Sequence, residues 1–232
     1  MTYSVRWLML AVITMTLGGC VTPPPQKNVD YSAFRASDPA SILVLPPLNT
    51  SVEPDATNAV LAQTTFPLAE SGYYVIPVGV MHETFSQNGL HSAEDIHQVP
   101  HKKLHDIFGA DTALYMTVSE YGTSYQIVDS VTTVSLDATL VDLRTGTTLW
   151  NGATSIRVGN NKNNNSLLGL LLQAVVSQIV NTTNDRSYAV AGTANNHLLF
   201  ADPGKGLLYG PRSPRYDLQH QAAITDETEK RQ

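Results

Sequence analysis

Ser41-Ile42-Leu43-Val44-Leu45-Pro46-Pro47, the stretch Asp55 to Glu70, and Tyr73-Tyr74-Val75-Ile76-Pro77 follow one another and decide the fold. The first is a short apolar run rich in β-branched residues, halted by two prolines that cannot donate to a ladder, and it reads as a buried strand. The second carries Val60, Leu61 and Leu68 at helical spacings, with Pro67 as a bend and Gly72 as a stop. The third is again a strand. Strand, helix and strand at this spacing form a βαβ crossover, which sets the two strands parallel.

Working toward the carboxyl end, short helices come next. Val80 to Asn88 ends at Gly89. Ser92 with Asp95 three residues on resembles a capping box, and Pro100 opens a helix that runs to Phe108 and stops at Gly109. From Thr112 to Arg157 the period becomes two: a strand to Tyr121, a turn at Gly122, a long strand ending near Asp142, and a turn at Arg144-Thr145-Gly146 into Thr147 to Arg157. Val134, Leu136, Ala138 and Leu140 share one face, and Thr133, Ser135, Asp137 and Thr139 the other, the mark of a half-buried antiparallel sheet. The fold class expected is α/β: a single mixed sheet with a βαβ start, then an antiparallel meander, with helices packed on one face. Beyond an asparagine-rich loop (Asn160 to Asn165), Ser166 to Asn181 reads as an amphipathic helix whose apolar stripe packs on the sheet, with a subunit interface or membrane contact as the alternatives, and Arg186 to Leu199 as a further helix. The domain is expected over 41–200. Residues 201–232, rich in Pro and Gly and then charged, read as a flexible tail with a docked piece at Leu207-Leu208-Tyr209.

Toward the amino end, Arg6 precedes an apolar run from Trp7 to Leu17, and Leu17-Gly18-Gly19-Cys20 closes it. Such a run rises about 16 Å as a helix, roughly half a hydrocarbon core, so residues 1–19 read as a signal peptide and not a span. The four residues ending in Cys20 resemble a bacterial lipobox. That similarity implies a diacylglycerol on the Cys20 thiol, with cleavage leaving Cys20 first, and Val21 after it favours the outer membrane. Two or three acyl chains anchor stably where one does not. Residues 20–40, with Pro23-Pro24-Pro25 and Pro39, then read as a lipidated tether.

Composition narrows the function classes. At 232 residues and 42% hydrophobic, the chain can build one sizeable core. A formal charge of -6 argues against a nucleic-acid partner, and a single cysteine excludes an internal disulfide and a thiolate zinc cluster. His82, His91, His97, His101 and His105 cluster, and His101 and His105 stand four apart on one helix. Pro100 separates them from His97, however, and Asp106 points about 100° from His105, so solvated helix faces account for them better than a metal. Neither G-x-S-x-G nor a phosphate-loop spacing occurs. Glu70, Glu83, Asp111, Glu120, Asp137 and Asp142 could meet as carboxylate pairs, but such pairs are common without catalysis. The reading is no enzyme, no catalytic residue, no cofactor and no metal. Tyr73, Tyr74, Tyr115, Tyr121 and Tyr125 fall near strand ends, where amphipathic rings suit sheet edges first and protein interfaces second.

Four ordered motifs carry a family resemblance: Val44-Leu45-Pro46-Pro47-Leu48-Asn49, Gly72-Tyr73-Tyr74-Val75-Ile76-Pro77-Val78, Phe108-Gly109-Ala110-Asp111 leading into Leu114-Tyr115, and Leu143-Arg144-Thr145-Gly146 leading into Leu149-Trp150. From the lipobox to about Arg157 the chain is similar to a family of proteobacterial outer-membrane lipoproteins that includes a meningococcal vaccine candidate. The tail after Ala201 matches nothing in that pattern. The resemblance implies a domain akin to the curli-secretion-channel lipoprotein, the Tol-translocation amino-terminal domain and the lipoprotein activator of penicillin-binding proteins. It carries Cys20 across as the lipid attachment and no catalytic residue; Gly109, Gly146 and Trp150 read physically as helix stop, hairpin turn and core anchor. The function expected is a lipid-anchored, periplasm-facing outer-membrane component that binds or assembles envelope proteins, in a secretion or transport complex or as a cell-wall-enzyme activator. A homo-oligomeric ring or channel component is the alternative.

Overall fold

The computed structural model describes residues 29–125, 130–159 and 186–221. Strand β1 (Ser41–Val44) is followed by β2 (Leu48–Asn49), β3 (Tyr74–Val75), β4 (Thr112–Tyr125), β5 (Ser130–Asp142) and β6 (Thr148–Gly159) in one mixed sheet of order β3-β1-β4-β5-β6, with β2 also on β4. Pro46-Pro47 interrupt the ladder without ending it. Leu45 N still donates to Leu114 O, and after the prolines Leu48 pairs with Thr117, so β2 continues along the same edge of β4. The βαβ crossover stands as the sequence implies. β1 pairs parallel with β3 (Ser41 with Tyr74, Ile42 with Val75) across helix α2 (Ala56–Glu70), which passes through Pro67 to Gly72 at φ +97°.

Helices α3 (Val78–Gln87), α4 (Ala93–His97) and α5 (His101–Phe108) lead back to β4, which lies parallel to β1. Ser92 Oγ accepts from Asp95 N at 3.1 Å, and Gly109 closes α5 in the left-handed conformation that relieves a helix end. β4, β5 and β6 form the antiparallel meander, and Gly146 turns at φ +77°. Gly122 is not a turn. It pairs with Thr133 inside β4, which runs on to Tyr125 because the cross-strand ladder continues on both sides of it.

The helices lie on both faces of the parallel half, not on one. Ile42, Leu43, Val44 and Leu45 are all buried, and neighbouring residues of β4 meet different layers: Thr64 of α2 reaches Met116 Sδ at 3.8 Å, while Tyr115 meets the His97 ring edge-on at 5.2 Å. Helix α6 (Arg186–Leu199) lies beside α2 and across β4, β5 and β6. Between the two helices the buried Asn195 donates to Val60 O at 3.0 Å, so this polar group costs little. Trp150 is buried in β6 against Gly152, as a core anchor should be.

Two boundaries shift. Residues 32–37 form helix α1 (Ser32–Ser37), with Tyr31 and Phe34 buried, so the folded body starts by Val29 and takes in much of the stretch read as tether. Two aromatic rings at this point find core to bury in. The carboxyl segment is held too. Leu207 and Leu208 are buried, Gly210 N donates to Ser71 O, Arg212 N to Gly72 O, and residues 216–221 are helical. The expected helix Ser166 to Asn181, the signal peptide and Cys20 lie outside the described residues.

Candidate functional site

Gly72 and Gly210 meet backbone to backbone, which leaves no room for a Cβ on either. This contact fastens the carboxyl segment across the start of β3. Tyr73 OH donates to Leu208 O at 2.6 Å, and burial pushes that phenol well above its ordinary range. The segment also holds the amino-terminal helix: Tyr31 OH donates to Gly206 O at 2.7 Å, and Tyr216 OH to Asp38 Oδ1 at 2.5 Å.

Past that fastening, β3 is an outer strand, and between it and α2 lies an open groove of about 650 Å³. Its walls are Leu61, Ala62, Thr65, Phe66 and Ala69 of α2 and residues 73–78, which run through β3 to the start of α3, with no charged residue among them. Phe66 is 57% exposed and Tyr74 46%, unusual for rings of this size. Phe200 meets Phe66 edge-on at 5.9 Å, and the Arg212 guanidinium lies 5.2 Å from the centre of the Tyr74 ring. Exposed aromatic rings with an arginine beside an apolar groove have the composition of protein-binding surfaces.

The chain matches the family described as "Putative lipoprotein GNA1162-like" over residues 29–212. It belongs to that family. A relative named "Putative lipoprotein NMB1124/NMB1162", from Neisseria meningitidis serogroup B, is 57% identical over 185 residues, covering 80% of this chain and 86% of the relative. The crystal structure of lipoprotein GNA1162 from Neisseria meningitidis is 60% identical with a TM-score of 0.53, over 62% of this chain and all of that one. The LpoB C-terminal domain from Escherichia coli is 16% identical with a TM-score of 0.39, over 64% of this chain and 94% of that domain. The GNA1162-like match extends past Ala201 to Arg212, so the first part of the supposed tail belongs to the family's domain. The folded contacts of Leu207 to Arg212 give the reason.

The residues weighed for chemistry take separate posts in this GNA1162-like chain. His97 Nε2 meets Pro46 O at 2.9 Å, and burial lowers its pKa. His105 Nδ1 meets Ala110 O at 2.8 Å, the His101 ring packs on Gly146, and His82 and His91 are exposed. No group of three or more His, Cys, Asp or Glu able to hold a metal occurs among the described residues. Asp111 Oδ2 accepts from Ala40 N, Ser41 N and Ser41 Oγ and so fixes the entry to β1. Asp142 is buried, which by itself would raise its pKa. Hydrogen bonds from Ser37 Oγ, Thr145 N and Arg144 outweigh that and hold it at about 2. Glu120 accepts from Ser135 Oγ at 2.6 Å, and Glu70, Glu83 and Asp137 are exposed. Of the tyrosines, Tyr73 and Tyr121 are buried, Tyr115 is half-buried, and Tyr74 turns into the groove. Sequence reading named Tyr74 but missed Phe66, Phe200 and Arg212. Phe66 interrupts the polar side of α2, which was a readable signal, but nothing in the sequence links it to residue 200 or 212.

Proposed function

We propose that this GNA1162-like chain is an outer-membrane lipoprotein, anchored through a diacylglycerol on Cys20 with its body in the periplasm, that binds another envelope protein and performs no catalysis. The groove between α2 and β3 is the docking site, and the exposure of Phe66 and Tyr74 at its uncharged wall carries that reading. Lipoprotein family membership supports the anchor, and no helix among the described residues is long and apolar enough to cross a membrane. From Cys20 to Asn28 an extended chain reaches at most about 30 Å, so anchoring would confine the groove to a thin layer and raise its effective concentration for partners there.

A photo-crosslinking residue at position 66 or 74, expressed in the native host, should trap a discrete adduct, while position 151 on the far strand should not. Equal labelling at all three would sink the docking site. The anchor is tested separately: Cys20→Ser should abolish incorporation of labelled palmitate and release the protein into the soluble fraction, and continued labelling would overturn it. Mass in detergent separates a monomer with a foreign partner from a closed ring of identical subunits.

A further inference from the structure

The register of β3 makes the occupant of the groove more specific, given the docking reading above. Tyr74 N donates to Ala40 O and Ile76 N to Ile42 O, both at 3.0 Å. In a strand the N–H and C=O of one residue point to the same side and alternate from residue to residue, so the N–H and C=O of Val75, a residue of the groove wall, point away from β1. Among the described residues neither has a partner. Pro77 follows two residues later and cannot donate, which limits the free edge to a few residues. At the near end the Arg212 guanidinium lies over Tyr74 and meets no carboxylate among the described residues.

These features ask different things of an occupant. The outward Val75 N–H and C=O want a chain extended alongside them, the uncharged walls want apolar side chains at alternate positions, and the unpaired cation wants an anion at one end. We propose that β3 takes up an extended, largely apolar segment of a partner protein as an added strand, with a carboxylate of that segment against Arg212. A helix in the groove would leave the Val75 N–H and C=O unanswered. A second copy fits less well, because from Tyr73 to Val80 this chain's own edge holds no acidic residue to meet Arg212. With so few backbone bonds on offer, the isolated segment should bind weakly, and confinement near a membrane would supply the rest.

The probe is a phage-displayed library of random linear nonapeptides, panned against the full chain in detergent. Recovered peptides should carry apolar residues at alternate positions with Asp or Glu near one end, and the best should slow amide exchange at Val75. Val75→Pro removes the outward donor at an edge position where proline is tolerated, and should weaken that peptide about tenfold or more. Arg212→Gln should weaken it several-fold, but not a version with the acid replaced by its amide. Apolar residues at helical spacing, unchanged exchange at Val75, an empty library, or concentration-dependent dimers protecting Val75 without peptide would each overturn strand addition. Should Val75→Pro fail to fold, the exchange measurement and Arg212→Gln still decide. If crosslinks at position 66 form but the strand tests fail, docking stands and strand addition falls; if those crosslinks are absent, docking itself falls.

Discussion

The two halves of the sheet treat solvent differently. β3, β1 and the start of β4 run parallel under helices on both faces, so all of Ile42 to Leu45 is buried. β5 and β6 run antiparallel with α6 on one face only, and the other face presents Asp137, Asn151, Ser155 and Arg157 to water. The half that hides its strands most completely also leaves Phe66 and Tyr74 exposed at its outer edge. Phe66 and Tyr74 are thus not spillover from a badly covered core. A sheet able to bury four consecutive apolar residues had the means to bury two rings, and leaving them out marks that edge as a contact surface.

The contrast can be broken by mutation. Leu43→Ala, inside the doubly covered half, should cost about 2–5 kcal/mol in urea unfolding, whereas Asp137→Ala on the open face should stay within about 0.5 kcal/mol. Comparable losses would mean that the halves are not distinct. Gly72→Ala drives a Cβ to 2.7 Å from Ser213 Cβ and 2.8 Å from Gly210 O at a φ of +97°. It should cost roughly 2–3 kcal/mol and speed amide exchange over 208–213 before the sheet opens; uniform exchange would deny the carboxyl segment its separate fastening.

Asp142→Asn should cost about 1–3 kcal/mol at pH 7. The folded carboxyl titrates near 2 against an ordinary 3.8, so its contribution is complete above about pH 4 and fades as pH falls toward 2. The difference from wild type should shrink over that window, and a constant difference would rule out the charge as the cause. Burial lowers the His97 pKa below its ordinary 6.5, so the unfolded chain takes up the proton first and stability should decline as pH drops below 6.5. His97→Gln should remove that slope, read from thermal midpoints between pH 7 and 5. Phe66→Ser should also stay within about 0.5 kcal/mol in stability, while abolishing docking. A large loss of stability there would return the ring to the core.

Much of the architecture was legible because burial imposes periodicity. The run Ser41 to Leu45, the alternation from Thr133 to Leu140 and the helix Arg186 to Leu199 each show their environment in their own order of residues. Gly122 misled because a glycine with positive φ serves a strand as well as a turn, and only the partner strand shows which. Tyr31 and Phe34 stand in a stretch with prolines on either side, and no local pattern announces that two rings have a core to join or that the Tyr31 hydroxyl meets Gly206 O. Of the candidate site, Tyr74 could be seen and its company could not.

By itself, the amino-acid order determined the parallel start, the antiparallel meander, the helix stops and a thiol placed in a lipobox-like context, all of which depend on neighbours within a few residues. Tertiary structure alone decided which strand lies outermost, that Phe66, Phe200 and Arg212 gather around it, and that the carboxyl segment holds the amino-terminal helix. Those contacts join residues more than a hundred positions apart. Their energies depend on which surfaces the folded chain has already covered, and local sequence does not record that.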